Sequence, residues 1–235
     1  MKSATKRAWL LLPFLVVVVL AAQTATEVEI TAEPSHHLIL ENDDVRVFDV
    51  GVAPHASTLL HRHRHDYVYV VIGDAHISNE VEGKAPADVK LSDGDTRFTP
   101  GNFAHVVTVV SEQPFRNITI ELLQDEKLRQ TPSHWPEESG EKTFLGGRSK
   151  ILFVKDGVRV SEVNLDAGAV VPSHHHDGPH LLVAIGDLDL RSDVEGKGPT
   201  PGKFKPGEVK WVPGGYTHTL TNVGKSPARF VTVEF

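Results

Sequence analysis

The sequence predicts an all-β protein made of two copies of one barrel-like or sandwich domain. Three observations carry this expectation: short apolar runs rich in β-branched residues, Gly, Pro and Asp-Gly punctuation between them, and a repeat at a fixed offset. Sliding the chain by 113 residues sets Leu38–Leu122 on Ile151–Phe235 without a gap, and 28 of the 85 aligned positions are identical. Ordinary composition gives about one identity in fifteen by chance, so the match is a tandem duplication. Val45-Arg46-Val47 falls on Val158-Arg159-Val160, Ile72-Gly73-Asp74 on Ile185-Gly186-Asp187, and Val81-Glu82-Gly83-Lys84 on Val194-Glu195-Gly196-Lys197. No long stretch has a helical period.

Taken in chain order, residues 1–25 read as a signal peptide. Lys2, Lys6 and Arg7 form a positive start, Trp9 to Leu20 an apolar core, and Ala21, Ala22 and Ala25 a small-residue cleavage region. The apolar run is shorter than the roughly 20 residues a bilayer crossing needs. The expectation is a secreted or periplasmic protein with no stable membrane insertion after cleavage. Residues 26–123 form the first domain, with strands expected at VRVFDV, YVYVVIG, FAHVVTVV and FRNITIEL. Residues 124–144 are polar and charged with two prolines and read as a linker, with one short helical turn around Asp125–Arg129. Residues 145–235 form the second domain, with strands expected at VRVSEVNL, HLLVAIGDLDL, VKWVPG and ARFVTVEF. The chain has no cysteine, so its core alone must hold it in an oxidising compartment. Its net charge of -7, with no basic run after the leader, argues against nucleic acid as a partner.

The 14 histidines carry the chemistry. Residues i and i+2 share one face of a strand, so His61 and His63 can converge on one ion, and His174 and His176 likewise. His105 and His218 each follow a Pro-Gly turn that returns the chain, and each supplies a distant third nitrogen. A lone His-x-His is more often a surface or hydrogen-bonded core feature. Here the pair and its distant partner recur at the repeat offset while much of the sequence around them has diverged, which favours metal. Neutral imidazoles in such a set suit a divalent transition metal: Fe, Mn, Cu, Ni or Zn. His36, His37, His55, His76 and His134 have no histidine at the matching position and are expected to be ordinary surface residues.

Both halves resemble cupin domains. That family has two signatures: a glycine, His-x-His, an acid and a glycine, and later a glycine, Pro-x-Gly, a histidine and an asparagine. The second half matches at Gly168, His174, His176 and Gly186, then at Gly207, Pro213, Gly215, His218 and Asn222. The first half matches at His61, His63, Asp66, Gly73, Gly94, Pro100 and His105. The resemblance implies a bicupin, two tandem cupin (double-stranded β-helix or jelly-roll) barrels, each with a metal pocket inside.

The departures bear on the site. Family metal sites add a glutamate shortly after the histidine pair, and neither half has one there. Asp66 stands in the glutamate's place counted from Gly73, though only three after His63. It is a candidate metal ligand and catalytic base, or else a hydrogen-bond partner of a ligand histidine. In the second half Pro179 takes that place. His180, four after His176, is a candidate fourth nitrogen ligand or an outward-facing residue. His65 and His175 are expected to point away from the barrel. Asn102 and Val109 replace the family's glycine and asparagine in the first half.

Two classes of function follow from the resemblance. The first is a metal-dependent dioxygenase, quercetinase- or pirin-like, with Asp66 taking a proton from a phenolic or enolic small-molecule substrate. Oxalate decarboxylase is disfavoured, because its family sites each use three histidines and a glutamate. An isomerase acting on sugars or keto acids is a further option. The second class is a binding module that holds a metal, a sugar or a small acid without turnover. A homodimer through outer strands is possible. Lys84 and Lys197 are expected to be solvated turn residues, Phe98 and Trp211 barrel packing, and the Asn117-Ile118-Thr119 glycosylation pattern to lie in a strand.

Overall fold

The computed structural model describes residues 26–130, 135 and 139–235. The segment read as a signal peptide and His134 lie outside the described residues. Among the described residues the regular structure is nearly all strand. In the first half a five-stranded sheet has the order His36–Glu41, Val45–Val52, Phe115–Leu122, Tyr67–Val71, Thr96–Thr99. It faces a second sheet of order Val28–Glu29, His61–His63, Phe103–Val109, Ala75–Val81, Ala87–Leu91. The second half repeats the plan. Gly140–Phe144, Gly147–Lys155, Val158–Leu165, Ala228–Glu234, His180–Ala184 and Val209–Val212 form one sheet. Val170–His176, Tyr216–Asn222, Leu188–Val194 and Thr200–Phe204 form the other. These are two jelly-roll barrels, as the repeat predicts.

The expected strands appear at their places with one difference. HLLVAIGDLDL is two strands, His180–Ala184 and Leu188–Val194, because Gly186 and Asp187 turn the chain between sheets. The segment read as linker holds the expected short helix, Asp125–Gln130. Its last five residues, Gly140–Phe144, pair antiparallel with residues 147–151 of the strand Gly147–Lys155 and extend the second barrel's sheet.

Strands of one sheet in each barrel are apolar on both faces, and the packing explains why. Val68 and Val70 belong to a core between the barrels, together with Val47, Ile118 and Ile120 and, from the other half, Val160, Leu181, Val183 and Val231. The alternate residues point the other way: Phe48, Val50, Val71 and Phe115 fill the interior of the first barrel. Val163, Leu182, Ala184 and Phe230 do the same in the second. An antiparallel sheet usually shows one face to water and alternates apolar with polar residues. A sheet sandwiched between its own barrel and its twin has no such face, which is why YVYVV and HLLVA read as unbroken apolar runs. Phe98 and Trp211 pack against this inter-barrel core, consistent with a packing role.

Two reciprocal arginine contacts tie the barrels together. Arg116 holds Asp49 with two hydrogen bonds of 2.9 and 2.8 Å and donates a third, of 2.9 Å, to the Pro206 carbonyl of the other barrel. Its repeat counterpart Arg229 donates to Glu162 at 2.6 Å and crosses to the Asp93 side chain and carbonyl, both at 3.0 Å. Each guanidinium lies over the glycine of the turn it reaches. A Cβ on Gly94 would overlap Arg229 and one on Gly207 would overlap Arg116, and both glycines have left-handed backbone (φ 82° and 85°). Gly94→Ala or Gly207→Ala is therefore expected to lower global stability by roughly 1–3 kcal/mol. Gly51→Ala, where a Cβ meets nothing within 4 Å, should stay within about 0.5 kcal/mol. Chemical denaturation measures all three.

Candidate metal centres

Strand register brings the repeated histidines together. His61 sits directly across from His105, and His174 directly across from His218. The i, i+2 rule then sets His63 and His176 on the same faces. In the first barrel His105 Nε2 lies 3.0 Å from His61 Nε2 and 3.2 Å from His63 Nε2. In the second, His218 Nε2 lies 3.1 Å from His174 Nε2 and 3.3 Å from His176 Nε2. The two sites are near copies.

The outer nitrogens decide what the inner ones are. His61 Nδ1 donates to the Leu59 carbonyl at 2.9 Å, and His174 Nδ1 donates to the Pro172 carbonyl at 2.8 Å. A neutral imidazole has one N–H, so donation from Nδ1 leaves a bare lone pair on Nε2. His105 Nδ1 meets the acceptor Asn79 Oδ1 at 2.7 Å, which sets that ring in the same sense, and His218 Nδ1 is held by Ser192 Oγ at 2.7 Å. Burial, aided by the neighbouring imidazoles, pushes His105 and His218 down to about 3. Burial likewise takes His61 to about 4 and depresses His63 and His174. Bare Nε2 atoms of His61 and His105 facing each other repel unless a cation sits between them, and His63 Nδ1 is buried with no hydrogen-bond partner among the described residues. The donor set therefore fits a divalent transition metal, and each Nδ1 contact is the outer support such ligands require.

The remaining sequence candidates fall elsewhere. Asp66 is buried, but it lines neither cavity. Its Oδ1 accepts from the Gly101 backbone N–H at 2.8 Å, and its Oδ2 is bound by Arg129 of the helix Asp125–Gln130. The strand His61–His63 ends before it, so alternation no longer aims Asp66 inward. It pins the linker helix to the barrel. His180 is buried and does face inward, stacked on His176 with ring centroids 4.1 Å apart. Tyr67 holds the matching position in the first barrel and stacks on His63 at 4.2 Å. Each of these rings packs flat against the second histidine of the pair. His65 and His175 lie outside the triads, with His65 Nδ1 3.5 Å from Asp125 and His175 Nδ1 2.9 Å from Thr217.

Two carboxylates and one histidine escaped the sequence reading. Glu234 is buried in the second barrel, bound by Arg159 at 2.8 Å and 3.3 Å from His176 Nδ1. Burial alone would raise its pKa, yet His176 and Arg159 together hold it down at about 2. It stands behind a triad histidine as a fixed anion. Its counterpart Glu121 pairs with Arg46, the counterpart of Arg159. The recurrence of both members at the repeat offset was the available signal. His36, expected at the surface, is instead buried, its side chain 4 % exposed beside His61. The strand His36–Glu41 pairs with Val45–Val52 and turns this ring into the barrel. Comparison of the repeats could not find it, because the matching residue is Ser149.

Other departures have local causes. Asn102 takes the left-handed backbone of the family's glycine (φ 64°) and donates its N–H to the His63 carbonyl at 2.7 Å, as Gly215 does to His176. Asparagine is one of the few side chains that tolerates this region. Asn222 donates to the carbonyls of Leu165, Asp166 and Ser226, whereas Val109 simply packs in the first barrel's core. Asn117 is buried and accepts from Thr119 at 2.7 Å, a placement closed to glycosylation in the folded chain.

The cavities differ more than the triads. The second barrel holds a cavity of about 600 Å³ walled by Phe144, Val163, Leu182, Leu190 and Phe230. The first holds about 390 Å³, narrowed by His36, Tyr67, Tyr69 and Phe103. Lys84 lines the first cavity.

No family model matches the sequence, and no curated protein matches it. Solved structures do. The chain is similar to oxalate decarboxylase from Bacillus subtilis at 14% identity, with a TM-score of 0.60 over 82% of this chain and 68% of that one. It is similar to the same enzyme in a structure concerned with its Mn(II) centres, at 15% identity and a TM-score of 0.59, over 91% and 78%. It is also similar to the formate complex of Lactobacillus farciminis oxalate decarboxylase, at 14% identity and a TM-score of 0.61, over 85% and 83%. At these identities the likeness shows the fold alone, a tandem pair of cupin-type jelly-roll barrels. The fold and the two histidine triads together fit a metal-binding cupin.

Wild-type protein is expected to carry about two equivalents of metal, with His105→Ala and His218→Ala each losing about one. Asp66→Asn should keep the wild-type content. Elemental analysis of the purified chains measures all four.

Proposed function

We propose that the protein is an exported, metal-dependent oxidoreductase of the dioxygenase type, with the second barrel as its reaction chamber. The observation that carries this is the pairing of a three-nitrogen donor set with a roomy, largely apolar cavity of about 600 Å³. A metal held there by three neutral ligands keeps positions for substrate and dioxygen, and it supplies the Lewis-acid and redox chemistry when bound. The apolar walls favour an organic substrate carrying a phenol or enediol over a small dianion. Glu234, ion-paired and set behind His176, orients that imidazole. Tyr216 lies across from His176 in the strand pairing and flanks the triad. Burial raises its hydroxyl to about 12, so it stays protonated and can donate a hydrogen bond to a substrate oxygen.

Oxalate chemistry, the activity named for the structural neighbours, is disfavoured for this chain because no carboxylate stands in either triad among the described residues. Export rests on the charge and apolar pattern of the first 25 residues. The first barrel is better read as a binding site than as a second reaction chamber, since aromatic and histidine rings crowd its smaller cavity.

Dioxygen uptake by protein loaded with Fe(II), Mn(II), Cu(II) or Ni(II), offered a panel of phenols and enediols, tests the proposal. One metal and substrate pair should consume dioxygen, and His218→Ala should reduce that rate by more than about 100-fold. His105→Ala should leave most of it. Full recovery of every substrate with no dioxygen consumed would sink the enzymatic reading in favour of a binding protein.

A further inference from the structure

We propose that His36 is a fourth imidazole donor of the first barrel's metal site, held in place by Glu33, so that the two barrels carry unlike centres. The inference rests on the metal-binding reading and concerns a residue outside the family's signatures. Ring nitrogens of His36, His61 and His63 all lie within 4.8 Å of one another, a set that leaves out His105, so His36 shares one ion with all three only when its ring closes in on the bound metal. Its ring centroid lies 4.7 Å from that of His61 and 6.2 Å from that of His63. A histidine placed for solvent does not end among two buried ligands.

Its outer side is built as a ligand's outer side is built. Nδ1 lies 2.7 Å from Glu33 Oε2, and that carboxylate is 3 % exposed. Glu33 also accepts the Ser35 N–H at 2.7 Å and the Leu59 N–H at 3.1 Å. The Leu59 carbonyl in turn holds His61 Nδ1. One short backbone stretch thus fixes two imidazoles at once, and a carboxylate behind an imidazole both orients it and strengthens it as a donor. With Nδ1 engaged, Nε2 is the nitrogen left to bind, and among the described residues no hydrogen bond to it is present.

The second barrel gives an internal comparison. At the repeat offset His36 is replaced by Ser149 and Glu33 by Gly146. The donor and its supporting acid are present together in one barrel and absent together in the other, as a functional pair would be. Ser149 lines the larger cavity, so the space filled by His36 in the first barrel is open in the second. Four nitrogens suit tight retention, and three leave room for chemistry.

The test uses the full chain with the second triad disabled by His174→Ala and His218→Ala, titrated with Co(II), whose visible bands report the number and type of ligands. One Co(II) should bind at the first barrel. His36→Ala should weaken it by more than about 10-fold and change the visible bands, and Glu33→Gln should weaken it by about 10-fold. His36→Asn, which keeps a polar partner for Glu33, guards against loss through misfolding, and thermal melting of each metal-free variant checks this. Unchanged affinity and unchanged bands in His36→Ala and His36→Asn, with binding still abolished by His105→Ala, would overturn the role of His36 alone. No Co(II) binding while His36 is intact would overturn the first barrel's metal site, and the role of His36 with it.

Discussion

Convergence of three buried imidazoles is the constraint around which each barrel is organised. In water such rings would rotate apart or take up protons. Here the cross-strand pairs His61–His105 and His174–His218 turn two Nε2 atoms toward each other, and the period of the strand adds the third. Carbonyls at Leu59 and Pro172 hold the outer N–H groups, and burial withholds protons. Everything that keeps the strands in register therefore also keeps the lone pairs convergent, which is useful only when a cation is shared among them.

The means of holding that register lies partly outside each barrel. A one-residue slip moves every side chain to the opposite face, so it would force the set shaped for the barrel interior into the core between the barrels and the reverse. The twin barrel supplies the second face, and the crossing arginines Arg116 and Arg229 lock the turns at Pro206 and Asp93. The scaffold is thus symmetric where it packs and free to diverge where it lines a cavity. Tyr67 against His180, Phe103 against Tyr216, and His36 against Ser149 all lie on inward faces, and they make one interior crowded and the other open.

Much of this was legible in the sequence, for a physical reason. A duplication lets two halves of one chain test each other, so His61, His63 and His105 stood out through His174, His176 and His218. The strands were visible as β-branched runs between turn residues, and only HLLVAIGDLDL hid a turn inside an apolar run. Asp66 misled because signature spacing counts residues and does not fix direction: the chain leaves its strand after His63, and the carboxylate turns to Arg129 and Gly101. His36 stayed hidden for the opposite reason. It has no twin, and only the pairing of its strand with Val45–Val52 carries it inward. Glu234 lay at the end of the strand Ala228–Glu234, and its charge gained meaning only when Arg159 and His176 were seen beside it.

The account stands or falls on where a metal sits. Anomalous diffraction at the absorption edge of the bound metal, on crystals of the loaded protein, locates it directly. The account predicts one peak in each barrel, within about 2.0–2.2 Å of the Nε2 atoms of His61, His63 and His105 and of those of His174, His176 and His218. Peaks confined to surface histidines such as His55 and His76, with both triads empty in a protein shown to contain metal, would contradict it.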